Sequence, residues 1–354
     1  MELTLTRAQQ LKPHPKDDEL AFGTVFTDHM FNMDYSPEKG WHTPRIEPYG
    51  PFVLSPASMV LHYGQAVFEG LKAYRTASGG IRLFRPKKNL ARLNESCRRL
   101  CIPEFNEAYL LDGLKQLVAL DQAWVPSTHG TSLYIRPFVI ATDPYVGLRS
   151  SLTYRLAIIL SPVGAYYPEG FNPVKIWITR KYVRAVRGGV GYVKTAGNYA
   201  ASLYATEEAH KEGYTQVLWL DGVKQKYVEE VGSMNIFFVI NDELVTPALN
   251  GSILPGVTRD SVIEVARSWN MPVAERKISI DEVFDAQKSG ALSEVFGSGT
   301  AAVISPVGMI KCDNLEVTIG DGSAGPVSKK FFDTLTGIQY GDAPAPEGWI
   351  EPVA

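Results

Sequence analysis

Cysteine is scarce: Cys97, Cys101 and Cys312 are the only three in 354 residues. That is too few for a disulfide framework and points to a reducing cytoplasm. Cys97 and Cys101 stand four apart, compatible with one helix face, but no histidine neighbours them and no metal site is expected. Long apolar runs are missing as well. No stretch of 18 consecutive apolar residues occurs, so no membrane span is expected. The opening "MELTLTRAQQLKPHPKDDEL" is polar and partly acidic, without the basic start and apolar run of a signal peptide. An excess of positive charge is also lacking. The net charge is −3 and the pI about 6.1, which gives no support for nucleic-acid binding. Internal repeats and low-complexity tracts are absent from the sequence.

What remains is the composition of a soluble globular protein, 45% hydrophobic and 21% charged. The length favours two domains. "GIRLFRP" reads as a short strand. "KKNLARLNESCRRLCI" reads as a helix, with Leu90, Leu93, Cys97 and Leu100 at helical spacing. "TSLYIRPFVIAT" and "SLTYRLAIIL" are rich in β-formers. The Pro/Gly-dense "SPVGAYYPEGFNPVK" that follows predicts a boundary, with domains over 1–163 and 175–354 and a linker over 164–174. Beyond it, "VKIWITR", "TQVLWLDG" and "EEVGSMNIFFVIN" read as strands. "NYAASLYATEEAHKEG" reads as a helix closed by Gly213, and "TRDSVIEVARSWN" as an amphipathic one. "FGSGTAAVISPVG" reads as a small-residue turn between a helix-like segment and a strand. The fold class is α+β with mixed sheets, because regular β-α alternation is missing.

One stretch calls for chemistry. "GGVGYVKTAGNYAAS" sets Lys194 among glycines and small residues. It is not a phosphate loop, which needs glycine directly before the lysine; Val193 stands there. Nor is it a dinucleotide fingerprint, since Lys194 itself occupies the place of the third glycine. A poorly solvated lysine has a lowered pKa and an available amine, which suits Schiff-base chemistry with pyridoxal 5'-phosphate. That chemistry also needs a carboxylate for the pyridine nitrogen and a phosphate cradle of helix N-termini and backbone N–H groups. Glu229 and Glu230 both qualify for the first. "LPGVTR", running into a helix at Thr258, and "GSGTAA" around Thr300 qualify for the second.

The segments "VFTDHM", "YGQAVFEGLKAY", "RLFRPKKNLARLN", "GTSLYIRP", "GNYAAS", "QVLWLDG", "EEVGSMNIF", "ILPGVTRDS" and "FGSGTAAV", in this order and with "IQYGD" near the end, resemble the branched-chain amino-acid aminotransferases, fold-type IV enzymes dependent on pyridoxal phosphate. The resemblance implies a small N-terminal α/β domain, a larger C-terminal domain of mixed, barrel-like character, and a homodimer. The implied reaction moves the amino group of L-leucine, L-isoleucine or L-valine to 2-oxoglutarate, giving glutamate.

The resemblance also assigns residues. Lys194 matches the Schiff-base lysine, and Tyr199 the tyrosine on the cofactor's ring oxygen. Glu230, rather than Glu229, matches the acid at the pyridine nitrogen. Arg92 matches the phosphate arginine, a choice that the residues alone do not make over Arg98 or Arg99. Ser233, Val257, Thr258 and Thr300 match the rest of the cofactor cradle. Phe22, Tyr63, Phe68, Tyr134 and Tyr166 match aromatic substrate positions, although Phe68 also suits plain core. Arg136 matches the arginine that admits the acidic co-substrate, and Ala301 with Thr300 the site of the substrate α-carboxylate. Val146 and Leu148, in "PYVGLRS", match a loop that reaches the partner subunit's pocket. Ala302 and Ser305 stand where mammalian relatives carry a redox-sensitive C-x-x-C, so no thiol switch is expected there.

Overall fold

The computed structural model describes residues 1–164, 171–313 and 315–353. The chain divides into two compact units. One comprises Met1–Tyr166, Val193–Ala196 and Gly337–Ala354; the other comprises Tyr167–Tyr192 and Gly197–Thr336.

The strands of the first unit are β1 (Thr4–Leu5), β2 (His29–Ser36), β3 (Gly40–Pro48), β4 (Ala66–Phe68), β5 (Leu71–Arg75), β6 (Ile81–Phe84), β7 (Ser132–Ala141), β8 (Tyr154–Val163) and β18 (Ile350–Pro352). They form a nine-stranded sheet in the order β1-β3-β2-β8-β7-β5-β6-β18, with β4 also on β7. The long β7–β8 pairing sets Tyr134 opposite Ser161 and Arg136 opposite Ile159. Helices α1 (Met59–Tyr63), α2 (Pro86–Arg99) and α3 (Glu107–Leu120) belong to this unit. The helical spacing of α2 has its physical outcome: Leu90, Leu93 and Cys97 are buried in a core shared with Leu110, Leu114, Leu117, Phe31 and Ile158. Each fully buried side chain of this size contributes about 1.5–3 kcal/mol.

Cys101 does not share a helix face with Cys97. The helix ends at Arg99, and Cys101 takes φ +57° beyond it. The N–H of Cys101 bonds the Arg98 carbonyl and that of Ile102 the Cys97 carbonyl, which caps the last turn and leaves Cys101 exposed.

The second unit holds the remaining strands, β9 (Val174–Ile178), β10 (Gln216–Leu220), β11 (Val228–Val231), β12 (Met234–Ile240), β13 (Glu243–Pro247), β14 (Val273–Arg276), β15 (Leu292–Gly299), β16 (Val303–Cys312) and β17 (Leu315–Thr318). Six of them close on themselves. The order β11-β10-β9-β16-β15-β12 is completed by the pairing of β11 with β12, which makes a barrel. β13 and β14 extend it beyond β12, and β17 pairs with β16. Phe237 on β12 and Phe296 on β15 stack at 5.2 Å, with Phe331 of the last helix against Phe296 at 5.7 Å. The remaining α-helices are α4 (Ala196–Lys211), α5 (Val257–Ser268), α6 (Ile280–Lys288) and α7 (Pro326–Tyr340). No helix among the described residues is long and apolar enough to cross a membrane.

Two local expectations are corrected. The run over Glu229–Asn241 is not one strand but a hairpin: β11 and β12 pair antiparallel, and Gly232 turns the chain at φ +54°. The segment before "GSGTAA" is strand β15, not helix, because it pairs along β12 from Leu292 to Ser298. The turn at Thr300–Ala302 joins two strands.

Candidate active site

Lys194 lies in the first unit, held by its backbone. Its N–H donates to Ser96 Oγ at 3.0 Å, and its carbonyl accepts the Phe68 N–H at 3.0 Å. Thr195 next to it bridges to Val67 and donates its hydroxyl to the Ala66 carbonyl at 2.9 Å. The lysine is thereby pinned along β4. Its Nζ stands 4.7 Å from the centre of the Phe68 ring. Desolvation is the largest influence on this ammonium and pulls it from 10.5 down to about 8. Glu69 and Tyr134 push the other way, while Arg92 and Arg136 pull further down.

Arg92 and Glu69 form a two-bond ion pair. Arg92 Nε donates to Glu69 Oε1 at 2.7 Å and Nη2 to Oε2 at 2.9 Å. Glu69 is fully buried and also accepts from Asn89 Nδ2 at 2.9 Å and from the Gly70 N–H at 3.1 Å. Burial pushes its carboxyl up, but Arg92, then Lys194 and Asn89, outweigh this and hold it below the usual carboxylate range. Sequence reasoning missed Glu69, although it sits inside the quoted "VFEGLKAY"; nothing in its spacing marks an acid there as paired.

The aromatic candidates of this unit converge. Phe22 meets Tyr134 edge-on at 5.0 Å. Arg136 donates to the Tyr134 hydroxyl at 2.9 Å and lies 4.7 Å over the Phe68 ring. Phe68 is therefore a shared surface for two cations, not plain core. Tyr63 is 40% exposed, with its hydroxyl donating to the Val146 carbonyl. Val146 and Leu148 are 65% and 85% exposed. Tyr166 lies outside the described residues.

In the second unit, Glu229 and Glu230 are both buried on β11 and have separate partners. Glu230 Oε1 accepts the Leu254 N–H at 2.8 Å and Asn235 Nδ2 at 3.4 Å, and its Oε2 lies 3.1 Å from Arg184 Nε. Glu229 accepts from the Ser252 hydroxyl and from Asn250. Arg184 also donates to the Ser252 carbonyl, so one arginine ties the two acids' surroundings together. Asn235 donates to the Leu254 carbonyl at 2.9 Å, which links Glu230 to the loop leading into α5. Val257 and Thr258 form the first turn of α5 behind N-cap Gly256, which offers no side-chain cap. A Cβ on Gly256 would collide with Asn235 Oδ1, so only glycine fits.

Ser233 is exposed at the β11–β12 turn, Thr300 and Ala301 are half-buried in the β15–β16 turn, and Tyr199 is half-buried on α4. Gly191, just before Lys194, is required within the second unit: a Cβ there would collide with the Ser252 carbonyl. Its presence near Lys194 thus has a packing cause as well as any chemical one. Among the described residues no cluster of His, Cys, Asp and Glu is arranged to hold a metal ion.

Residues 66–310 match the family model of Amino-transferase class IV, and the chain belongs to that family. Over 354 residues it is 58% identical to branched-chain-amino-acid aminotransferase 2 of Bacillus subtilis, covering all of this chain and 96% of that protein. The branched-chain amino acid aminotransferase of Escherichia coli superposes with a TM-score of 0.77 at 27% identity, covering 92% of this chain and 99% of that one. The branched-chain aminotransferase of the thermophilic archaeon Thermoproteus uzoniensis, solved with norvaline, does so with a TM-score of 0.77 at 25% identity, covering 92% and 100%. Within class IV, the similarity places the chain among the branched-chain-amino-acid aminotransferases.

Proposed function

We propose that the protein transfers the amino group of L-leucine, L-isoleucine or L-valine to 2-oxoglutarate, using pyridoxal 5'-phosphate carried on Lys194. The donor set suits such a group. Lys194 offers an amine with its pKa lowered to about 8, Arg92 a guanidinium for a phosphate, uncapped α5 a helix N-terminus for the same anion, and Glu230 a buried carboxylate for a ring nitrogen. When bound, pyridoxal phosphate acts as an electron sink that makes the substrate Cα–H acidic.

The chain's residues have these roles. Lys194 Nζ, neutral in a usable fraction near pH 8, takes the Cα proton and returns it, as a general base and then acid. Glu230 holds positive charge at the ring nitrogen. Tyr199 donates to the ring oxygen. Arg92, Val257, Thr258, Ser233 and Thr300 hold the phosphate side. Phe22, Phe68 and Tyr134, together with Tyr63 and Tyr166, accept a branched aliphatic chain, which needs apolar walls. Arg136 meets the distal carboxylate of 2-oxoglutarate and glutamate, while Thr300 and Ala301 meet the α-carboxylate. The exposed apolar side chains of Val146 and Leu148 support a homodimer in which this loop is covered by a second copy.

The observation that carries the reading is the lowered amine of Lys194 beside Phe68, within the field of Glu69 and Arg92. Purified protein should convert L-leucine and 2-oxoglutarate to the branched 2-oxo acid and glutamate. Turnover of D-alanine without turnover of L-leucine would reject it.

A further inference from the structure

We propose that His29 is a positioning residue of the substrate site: together with Asp28 it latches the N-terminal strap over residues 6–25, and through the strap it sets the place of Phe22 beside Tyr134. His29 thereby tunes the preference for apolar amino-group donors. The inference rests on the reading of Phe22 and Tyr134 as walls for a branched aliphatic chain.

The strap has few apolar anchors. Leu3 and Val25 pack against the core of the first unit, and among the described residues no side chain between them joins that core. Most of the strap is exposed. Such a segment has little apolar burial to hold it, so directional contacts decide where it lies.

His29 opens β2 and is buried. Asp121, just past α3, takes one side of it. The His29 N–H donates to Asp121 Oδ2 at 3.0 Å, and Nδ1 lies 2.6 Å from Oδ1. On the other side the Ala8 N–H donates to His29 Nε2 at 2.8 Å. A ring nitrogen that accepts an N–H carries no proton, so the ring proton sits on Nδ1 and points to Asp121. One ring thus joins the core to the strap. Asp28 repeats the arrangement. Its Oδ2 accepts from Trp124 Nε1 at 2.7 Å, and its Oδ1 accepts the Lys12 N–H at 2.8 Å. Lys12 Nζ then returns to the Thr27 carbonyl at 2.7 Å. Two adjacent buried side chains therefore each fix one atom on the Asp121–Trp124 corner and turn another to a strap N–H.

From the latch the strap runs on to Phe22. Asp17 Oδ2 accepts the N–H groups of Ser127 and Thr128 at 2.9 and 2.8 Å. The Leu20 carbonyl passes so close to Gly164 that a Cβ there would stand 2.5 Å from it. Phe22 follows, edge-on to Tyr134 at 5.0 Å, and the Tyr134 hydroxyl accepts from Arg136. A role for His29 in the core alone would use its Asp121 side. The Nε2 side reaches only the strap.

His29→Asn separates the two sides. Its amide nitrogen replaces Nδ1 toward Asp121, and nothing replaces Nε2. Ala8→Pro removes the same hydrogen bond from the strap, so the test does not depend on a buried variant folding. Hydrogen exchange of the strap peptide over residues 7–24, read by mass on the purified protein, should be about two- to tenfold faster in both variants, the equivalent of one net hydrogen bond. Peptides over β7 and β8 should be unchanged. KM for L-leucine should rise by a similar factor with kcat within about twofold, while KM for L-glutamate changes less. His29→Gln, whose amide oxygen reaches the place of Nε2, should restore most of both effects. In a Phe22→Ala background the KM effect of His29→Asn should vanish, because both changes act through one contact.

Unchanged strap exchange in His29→Asn and Ala8→Pro overturns the latch. Faster exchange with an unmoved L-leucine KM overturns the positioning role, as does a KM effect that persists without Phe22 or is equal for L-leucine and L-glutamate. A wild type that does not turn over L-leucine sinks the proposed function instead, and the exchange measurement still decides the latch.

Discussion

Two buried carboxylates, one in each unit, are each answered by an arginine, and they are held differently. Glu69 has both oxygens engaged by the Arg92 fork, with Asn89 and Gly70 added. Glu230 has one close main-chain donor, Leu254, a long amide contact from Asn235, and the Arg184 Nε beside its second oxygen. The first arrangement makes a static charge, engaged on both oxygens. The second holds an acid through a loop N–H, a side-chain amide and a neighbouring guanidinium. The lesson is that two acids of equal burial are held by different kinds of donor, a side-chain fork in one unit and a loop N–H in the other.

The sharpest way to break this comparison is to neutralise each acid in turn. Glu230→Gln should retain the cofactor and lose roughly a hundredfold in kcat, about 3 kcal/mol, because an amide does not hold a protonated ring nitrogen. Glu69→Gln should shift the pH dependence with a smaller loss at its optimum. If Glu229→Gln produced the large loss and Glu230→Gln little, the two β11 acids would have exchanged roles, and the Ser252 and Asn250 contacts would mark the functional one.

Next in size is the arginine. Arg92→Ala should weaken pyridoxal phosphate binding by about ten- to a hundredfold, the equivalent of about 1.5–3 kcal/mol. Arg98→Ala should leave it unchanged, since Arg98 is exposed and pairs with Glu95 and Glu104. Equal affinity in both variants, measured by cofactor titration, would remove Arg92 from the site.

A pH effect on stability follows from buried Lys72 and half-buried Lys194. Lys72 and Lys194 are lowered to about 8 in the folded chain against 10.5 unfolded. Between these values the unfolded state binds more protons, so stability rises with pH. Cofactor-free protein should gain about 1.4 kcal/mol per pH unit per lysine from about pH 8 to about pH 10. Above that, Tyr74 reverses the trend, because burial raises its pKa well above 10.0 and the unfolded tyrosine ionises first. Denaturant titrations of wild type and Lys72→Met should differ by one lysine's share, about 1.4 kcal/mol per pH unit.

The smallest effect concerns thiols. Burial pushes Cys97 up to about 12, and burial also raises Cys312, so neither is a ready thiolate. Mild peroxide should leave activity nearly unchanged, and dithiothreitol should restore nothing. A reversible loss of most activity would identify another gate, with exposed Cys101 the first to replace.

Much of the frame was legible in the sequence. The α2 periodicity, the strands flanking the Pro/Gly-rich stretch and the Gly213 helix end all follow from short-range patterns. Barrel closure is not legible, because the β11–β12 and β16–β9 pairings join segments whose patterns do not name their partners. The β11–β12 hairpin escaped because Gly232 lies inside an unbroken β-forming run. At the site, Lys194 stood out through its small neighbours and its motif. Glu69 and Arg184 did not, since a buried ion pair is a property of three-dimensional proximity, and an isolated acid or arginine looks the same in sequence whether paired or solvated.

The central claim is that Lys194 is the amine that carries the cofactor. Borohydride reduction of the yellow holoenzyme, followed by peptide mapping, tests it most directly. The account predicts the reduced pyridoxyl label on the peptide containing Lys194 and on no other. A label on Lys72, the other lysine lowered to about 8 by burial, or on surface-exposed Lys181 or Lys211, would contradict it.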